Sequence, residues 1–143
     1  MKLPSPPAVT GVLETALYVD DLPRAIAFYQ RLFGFRVLQE DHRFCAFDVA
    51  GRSVLLLFLR GASRESVPLP WGHTIPPHDG NGPWHFAFSI PRGSDAAWET
   101  HLRDTGITIE SIVTWPRGGR SLYFRDPDGH AVELLTPGVW ETY

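Results

Sequence analysis

What this chain lacks narrows it first. A single cysteine, Cys45, excludes an intramolecular disulfide and leaves no thiol cluster for a closed structural metal site. Its surroundings, the strand-like stretch from Arg43 to Val49, read as those of a small buried hydrophobe. There is no lysine/arginine run and the formal charge is −3, so the electrostatic footprint of a nucleic-acid binder is missing. No apolar stretch approaches the ~20 residues that span a bilayer, and residues 1–10 lack the apolar core of a signal peptide. The expected location is the cytoplasm, with neither membrane nor nucleic acid as a partner. The remainder is ordinary for one domain: 143 residues, 43% hydrophobic and 20% charged, enough to form a core without disulfides.

Local signals then order the chain. Met1 to Pro7 carry three prolines and read as a flexible or extended lead-in. Glu14 to Val19 alternates like a strand, and Asp20-Asp21 offers a helix cap before Leu22 and Pro23. Leu22, Ala25, Ile26, Tyr29, Leu32 and Phe33 form one apolar stripe, and Gly34 closes that helix. Strands are expected over Phe35–Glu40, Arg43–Asp48 and Ser53–Leu59. Residues 64–84 break the pattern with five prolines and three glycines, a lid, crossover or linker. The unit then repeats: a strand over His85–Ile90, a helix capped by Ser94 and closed by Gly106, and strands over Ile107–Val113, Ser121–Arg125 and Ala131–Leu135. The expected fold class is α+β, one domain of two β-α-β-β-β modules spanning about 11–60 and 84–137, joined by a loop over 61–83.

The two first strands each open on a potential metal ligand, Glu14 and His85. A third, Glu133, interrupts the apolar run of the last strand, where an unpaired buried carboxylate is expensive. It calls for a metal, an arginine or a raised pKa. Alone, Glu14 also reads as an exposed strand-end carboxylate and His85 as a hydrogen-bonded core histidine. Together the three suit Fe²⁺, Mn²⁺, Zn²⁺, Ni²⁺ or Co²⁺ and leave positions open for a reacting molecule. Ser121 and Tyr123 share strand parity, so they project together, with Ser121 a candidate substrate contact, and Tyr123 could orient or protonate a bound oxygen. Arg117 and Arg120, flanking Gly118-Gly119, could clamp an anionic substrate or could simply be solvated turn residues. His73 and His78 in the long loop are candidate mobile acids or bases. Asp126 and Asp128 read as turn-formers.

The segments Glu14–Leu22, Phe28-Tyr29, Leu32–Phe35 and Tyr123–Leu134, the last containing Asp126-Pro127-Asp128-Gly129, resemble the vicinal oxygen chelate superfamily. That group includes glyoxalase I, extradiol dioxygenases, fosfomycin-resistance thiol transferases and bleomycin-resistance proteins. The resemblance covers about residues 10–137. It implies paired modules cupped as a mixed sheet around a divalent metal, with Glu14, His85 and Glu133 at the first, third and fourth ligand positions. The second position falls on Leu55, with Leu56 the neighbouring alternative, and holds no ligand. That absence weighs against glyoxalase I proper, which uses a carboxylate there to move a proton. Dioxygenases and fosfomycin transferases use the same three positions, but with histidine where this chain has Glu14. Bleomycin-type binding proteins generally lack the triad.

The resemblance thus implies a metalloenzyme, expected as a homodimer, that chelates a small, partly apolar, oxygen-bearing substrate. Phe44, Phe47, Trp84, Phe86, Phe88 and Tyr123 are the expected lining. Ring-cleaving oxygenation stands slightly ahead of isomerisation or thiol addition, and drug or metabolite sequestration is the alternative. Whether the modules pair within one chain or between two stays open.

Overall fold

Asp21 begins the first helix and Gly34 ends it, as their chemistry dictates. In a computed structural model, which describes residues 1–2 and 4–143, β1 (Glu14–Val19) leads into α1 (Leu22–Phe33). Leu3, within the expected lead-in, lies outside the described residues, and residues 4–13 form neither helix nor strand. Asp21 is extended, and its Oδ1 accepts the Arg24 N–H at 3.0 Å. Gly34 takes the left-handed conformation at φ 66° and donates to the Gln30 carbonyl. Phe28 joins Leu22, Ala25, Tyr29 and Leu32 on the buried face, with Ile26 and Phe33 at its edges.

The first sheet is completed by β2 (Arg36–Glu40), β3 (Phe44–Val49) and β4 (Ser53–Leu59), in the order β1-β4-β3-β2 with β1 and β4 parallel. The long loop contains a small ribbon of β5 (Val67–Pro68) and β6 (Thr74–Ile75). The second unit follows: β7 (His85–Ser89), α2 (Asp95–Asp104), β8 (Ser111–Thr114), β9 (Arg120–Arg125) and β10 (Ala131–Leu135). Its order, β7-β10-β9-β8 with β7 and β10 parallel, repeats the first sheet.

Two local expectations change. The strand expected over Ile107–Val113 begins only at Ser111. Gly106 turns the chain at φ 77°, the Ile107 N–H returns to Leu102 O, and Ile107 and Ile109 pack against the core first. Ser94 holds the cap position of α2, but its hydroxyl donates to Pro91 O at 2.6 Å and caps nothing.

One apolar core serves both sheets. Leu17, Val19, Phe47, Leu55 and Leu57 from the first meet Leu122, Phe124, Val132 and Leu134 from the second, with the α1 stripe and Leu102 of α2. Cys45 is fully buried there, and burial, then Glu40, pushes its thiol up to about 11. It is the inert small hydrophobe its setting suggests.

The turn between β9 and β10 locks the units together. His130 is fully buried; its Nδ1 accepts the Trp84 N–H at 2.9 Å and its Nε2 lies 2.8 Å from Tyr18 O. An N–H can only donate and a carbonyl only accept, so the proton sits on Nε2. Asp126 takes the Tyr29 hydroxyl on Oδ2 at 2.7 Å and the His130 N–H on Oδ1 at 2.9 Å. Burial, and then the Asp126 charge, push the Tyr29 phenol well above its ordinary value. Asp128 accepts the Asp20 N–H at 2.8 Å. Asp126 and Asp128 form the turn and also dock it on α1 and on the junction between β1 and α1.

Candidate metal centre

Strand parity decides what faces away from the core. On β10, Val132 and Leu134 point into it, so Glu133 points to the opposite side. The register sets Glu133 beside Ala87 on β7 and Tyr123 on β9, and sets His85 beside Ala131. His85 Nδ1 lies 3.0 Å from Ala131 O and must donate to it, which fixes the ring. The other nitrogen, Nε2, approaches Glu133 Oε1 at 3.3 Å.

Glu133 is held from its other side. Its Oε2 accepts the Ser121 hydroxyl at 2.6 Å, and Ser121 Oγ accepts the Trp115 indole N–H at 2.8 Å. The indole can only donate, so the serine proton is directed to the carboxylate. The Tyr123 ring lies over the His85 ring at an inclination of 29°, with centroids 6.2 Å apart. Burial, and then the Glu133 charge, raise its phenol above the ordinary value. Strand parity accounts for the common side of Ser121 and Tyr123, but the Ser121 hydroxyl expected to contact substrate is engaged by Glu133; nothing in the sequence signals that Trp115 reaches back to Ser121.

This donor set fits a cation. An imidazole lone pair and a carboxylate oxygen repel at 3.3 Å unless a positive charge is shared between them. A histidine anchored through Nδ1 to a carbonyl, and a carboxylate anchored by a hydroxyl, are how metal ligands are oriented. His85 is open to the exterior while Glu133 is 7% exposed, so the pair faces outward from a rigid base.

Glu14 belongs to the other module. It lines a cleft of about 590 Å³ with Ala16, Tyr18, Arg43, Phe44, Leu56, Phe58 and the segment Ile75–His78. Among the described residues no three His, Cys, Asp or Glu side chains are grouped to hold a metal. Within one chain, then, Glu14 stands apart from His85 and Glu133. The register also resolves the second ligand position. Ala16 pairs with Leu56 as Ala87 pairs with Glu133, so Leu56 is the counterpart of Glu133, and Leu55 faces the core at 1% exposure.

Other expected site residues are placed differently. Arg120 has the parity opposite to Ser121, and its guanidinium binds Asp95 at the start of α2 at 2.6 Å, on the helix side of the sheet. Arg117 is exposed in its turn, beside Trp115, Trp140 and Glu141. Neither is brought to Glu133. Of the expected lining, Phe47 is fully buried and Phe86 and Phe88 pack against the core, because they alternate with the residues that face the cup. Phe44 lines the cleft, and Trp84 meets Tyr18 edge-on at 5.1 Å. His73 is exposed, whereas His78 Nδ1 lies 2.7 Å from the Tyr18 hydroxyl.

Paired β-α-β-β-β sheets with one core and an outward-facing His–Glu pair define a class of fold and site. The chain belongs to the Glyoxalase/Bleomycin resistance protein/Dioxygenase superfamily, whose family model matches residues 11–134. It is 29% identical over 134 residues to a metallothiol transferase FosB from Bacillus licheniformis, covering 93% of this chain and 79% of that protein. It is 26% identical over 129 residues to a lactoylglutathione lyase from Salmonella typhimurium, covering 87% and 90%. The crystal structure of a lactoylglutathione lyase from Agrobacterium tumefaciens matches with a TM-score of 0.84 and 34% identity, covering 96% of this chain and 99% of that one.

Proposed function

We propose that this chain is a divalent-metal-dependent enzyme that adds a thiol to an oxygen-bearing, partly apolar small-molecule electrophile. It acts as a homodimer in which Glu14 of one chain completes the donor set begun by His85 and Glu133 of the other. The observation that carries this reading is the 3.3 Å approach of His85 Nε2 to Glu133 Oε1, with His85 Nδ1 and Glu133 Oε2 both already engaged. Two electron-rich atoms are held converging on one point.

A bound ion would supply Lewis acidity to a substrate oxygen. The rest falls to the chain. Tyr123, whose phenol burial and then the Glu133 charge raise above its ordinary value, donates a hydrogen bond to a substrate oxygen. Ser121 and Trp115 hold Glu133 in one rotamer. Ala16 and Leu56 present an apolar floor to the cleft. With two carboxylates in the set, oxygen-preferring ions such as Mn²⁺ suit it.

Two considerations favour thiol addition. Leu56 offers no carboxylate to move a proton, as the isomerase mechanism requires. The relatives carry metallothiol transferase and lyase names, which weighs against the ring-cleaving oxygenation that the sequence alone put first.

Protein purified without a histidine tag should contain about one divalent ion per chain by elemental analysis, and Glu133→Ala should lose it. Free L-cysteine or glutathione should be consumed in the presence of small epoxides, and chelation should stop the reaction. Substoichiometric metal that Glu133→Ala leaves unchanged overturns the metal site. A loaded protein that binds small molecules but consumes no thiol points instead to sequestration.

A further inference from the structure

We infer that the far end of the first module's cleft is a subsite for an anionic head group, a carboxylate or similar oxyanion, on an elongated aromatic or apolar substrate. The inference rests on the proposed reading of Glu14 as the reactive end of the same cleft. Glu14 and Tyr18 lie on one face of β1, four residues apart, which is about 13 Å along a strand. Between them the floor is Ala16 and Leu56, both apolar. The cleft is therefore long, with a charged end, a greasy middle and a different far end.

The far end is organised around Phe58. Tyr18 stacks on it at 6.0 Å and Phe44 at 5.7 Å, and His78 meets it edge-on at 4.5 Å. The Arg43 guanidinium lies 5.9 Å from the Phe58 centroid and 5.2 Å from that of Phe44. Its Nη1 donates to Ser63 Oγ at 2.9 Å, and Ser63 is 2% exposed, so a buried anchor holds it. Arg43 takes part in none of the ion pairs among the described residues. The nearby Asp79 is engaged by Arg64 at 2.9 Å.

A guanidinium stacked on two rings, without a counter-ion, keeps its Nε and Nη2 edge for a ligand. That edge is the parallel pair of donors that a carboxylate accepts. Tyr18 and His78 add a further donor. Their neutral forms carry two acidic hydrogens and share one across the 2.7 Å contact, so either tautomer leaves one unshared. Fixed charge, aromatic walls and a spare donor line one end of the cleft, a combination that suits an oxyanion attached to an apolar body.

The test is calorimetric titration of the protein as purified with 3-phenylpropionate and with 3-phenylpropan-1-ol, which share a body and differ in the head. The carboxylate should bind about tenfold more tightly, as a charge-assisted hydrogen-bonded pair implies. Arg43→Met should erase that preference while keeping affinity for the alcohol. Arg43→Lys, which retains charge but not the fork, should keep part of it, with circular dichroism confirming that both variants fold. Glu14→Gln should keep the preference in full. Equal binding of the two probes, no binding of either, or a preference that survives Arg43→Met overturns the subsite. So does a preference lost in Glu14→Gln, because the anion would then sit at the metal. A preference intact in a protein that carries no metal overturns the metal reading and leaves the subsite standing.

Discussion

Leu56 occupies in the first module the place that Glu133 occupies in the second, each beside an alanine of the parallel neighbouring strand. The sheets match while the donors do not. Leu56→Glu should add a fourth donor to the proposed centre, raising metal affinity and slowing metal loss to a chelator. Thiol consumption should fall as an open position fills. The side chain is half-buried, so the loss of stability should stay near 1–2 kcal/mol. Unchanged chelator kinetics would place Leu56 away from the metal.

Ser121 donates its hydroxyl to Glu133, and Trp115 donates its indole N–H to Ser121. Ser121→Ala should weaken metal binding by about 10–100-fold. Trp115→Phe should produce a smaller loss in the same direction. Competition against a fluorescent chelator measures both. Melting temperatures that drop while metal affinity holds would make these residues merely structural.

Tyr29 links α1 to Asp126 and carries an alkaline signature. Its phenol is raised in the folded chain by burial first and Asp126 second, above the ordinary value of 10.0. The stabilisation is therefore complete below about pH 10 and is lost as pH rises beyond it. Tyr29→Phe should cost about 1–3 kcal/mol at pH 8, because Asp126 Oδ2 loses its donor. The gap between variant and parent should shrink in urea titrations above pH 10. A constant gap would remove the linkage.

Gly80 is required by contact rather than by backbone angle. A Cβ there would run into Tyr18 Cδ2 and lie 2.5 Å from Trp84 Cζ2. Gly80→Ala should displace the segment that carries His78, speed proteolytic cleavage between residues 60 and 84, and reduce the anion preference. Metal content should not change. Unaltered proteolysis would show that the rings move aside freely.

Backbone-local signals are the legible part of this chain. Asp21, Gly34 and Gly106 act within a few residues, and so do the alternations that set Val132 and Leu134 against Glu133. The repeat gives the two sheets, and parity brings Ser121 and Tyr123 to Glu133. What stays hidden depends on register or on distant partners. Leu55 and Leu56 differ by one residue, a slip that reverses the face, and only pairing with β1 separates them. The aromatic run Phe86 to Phe88 reads as lining, yet alternation with His85 and Ala87 turns both rings inward. Arg120 reads as a free cation, but Asp95, 25 residues earlier, claims it. The cluster around Phe58 joins a strand, a hairpin and a long loop, so no window of sequence contains it.

The separation of Glu14 from His85 and Glu133 has a genetic consequence. If each centre draws on two chains, Glu14→Gln and Glu133→Gln proteins should each be inactive alone yet rescue one another. In an equal mixture, unfolded and refolded together, every mixed pair holds one intact set of donors and one doubly damaged set. Random assortment then restores about a quarter of parental metal and activity. Two lesions that no single chain could survive together become complementary when they are divided between partners.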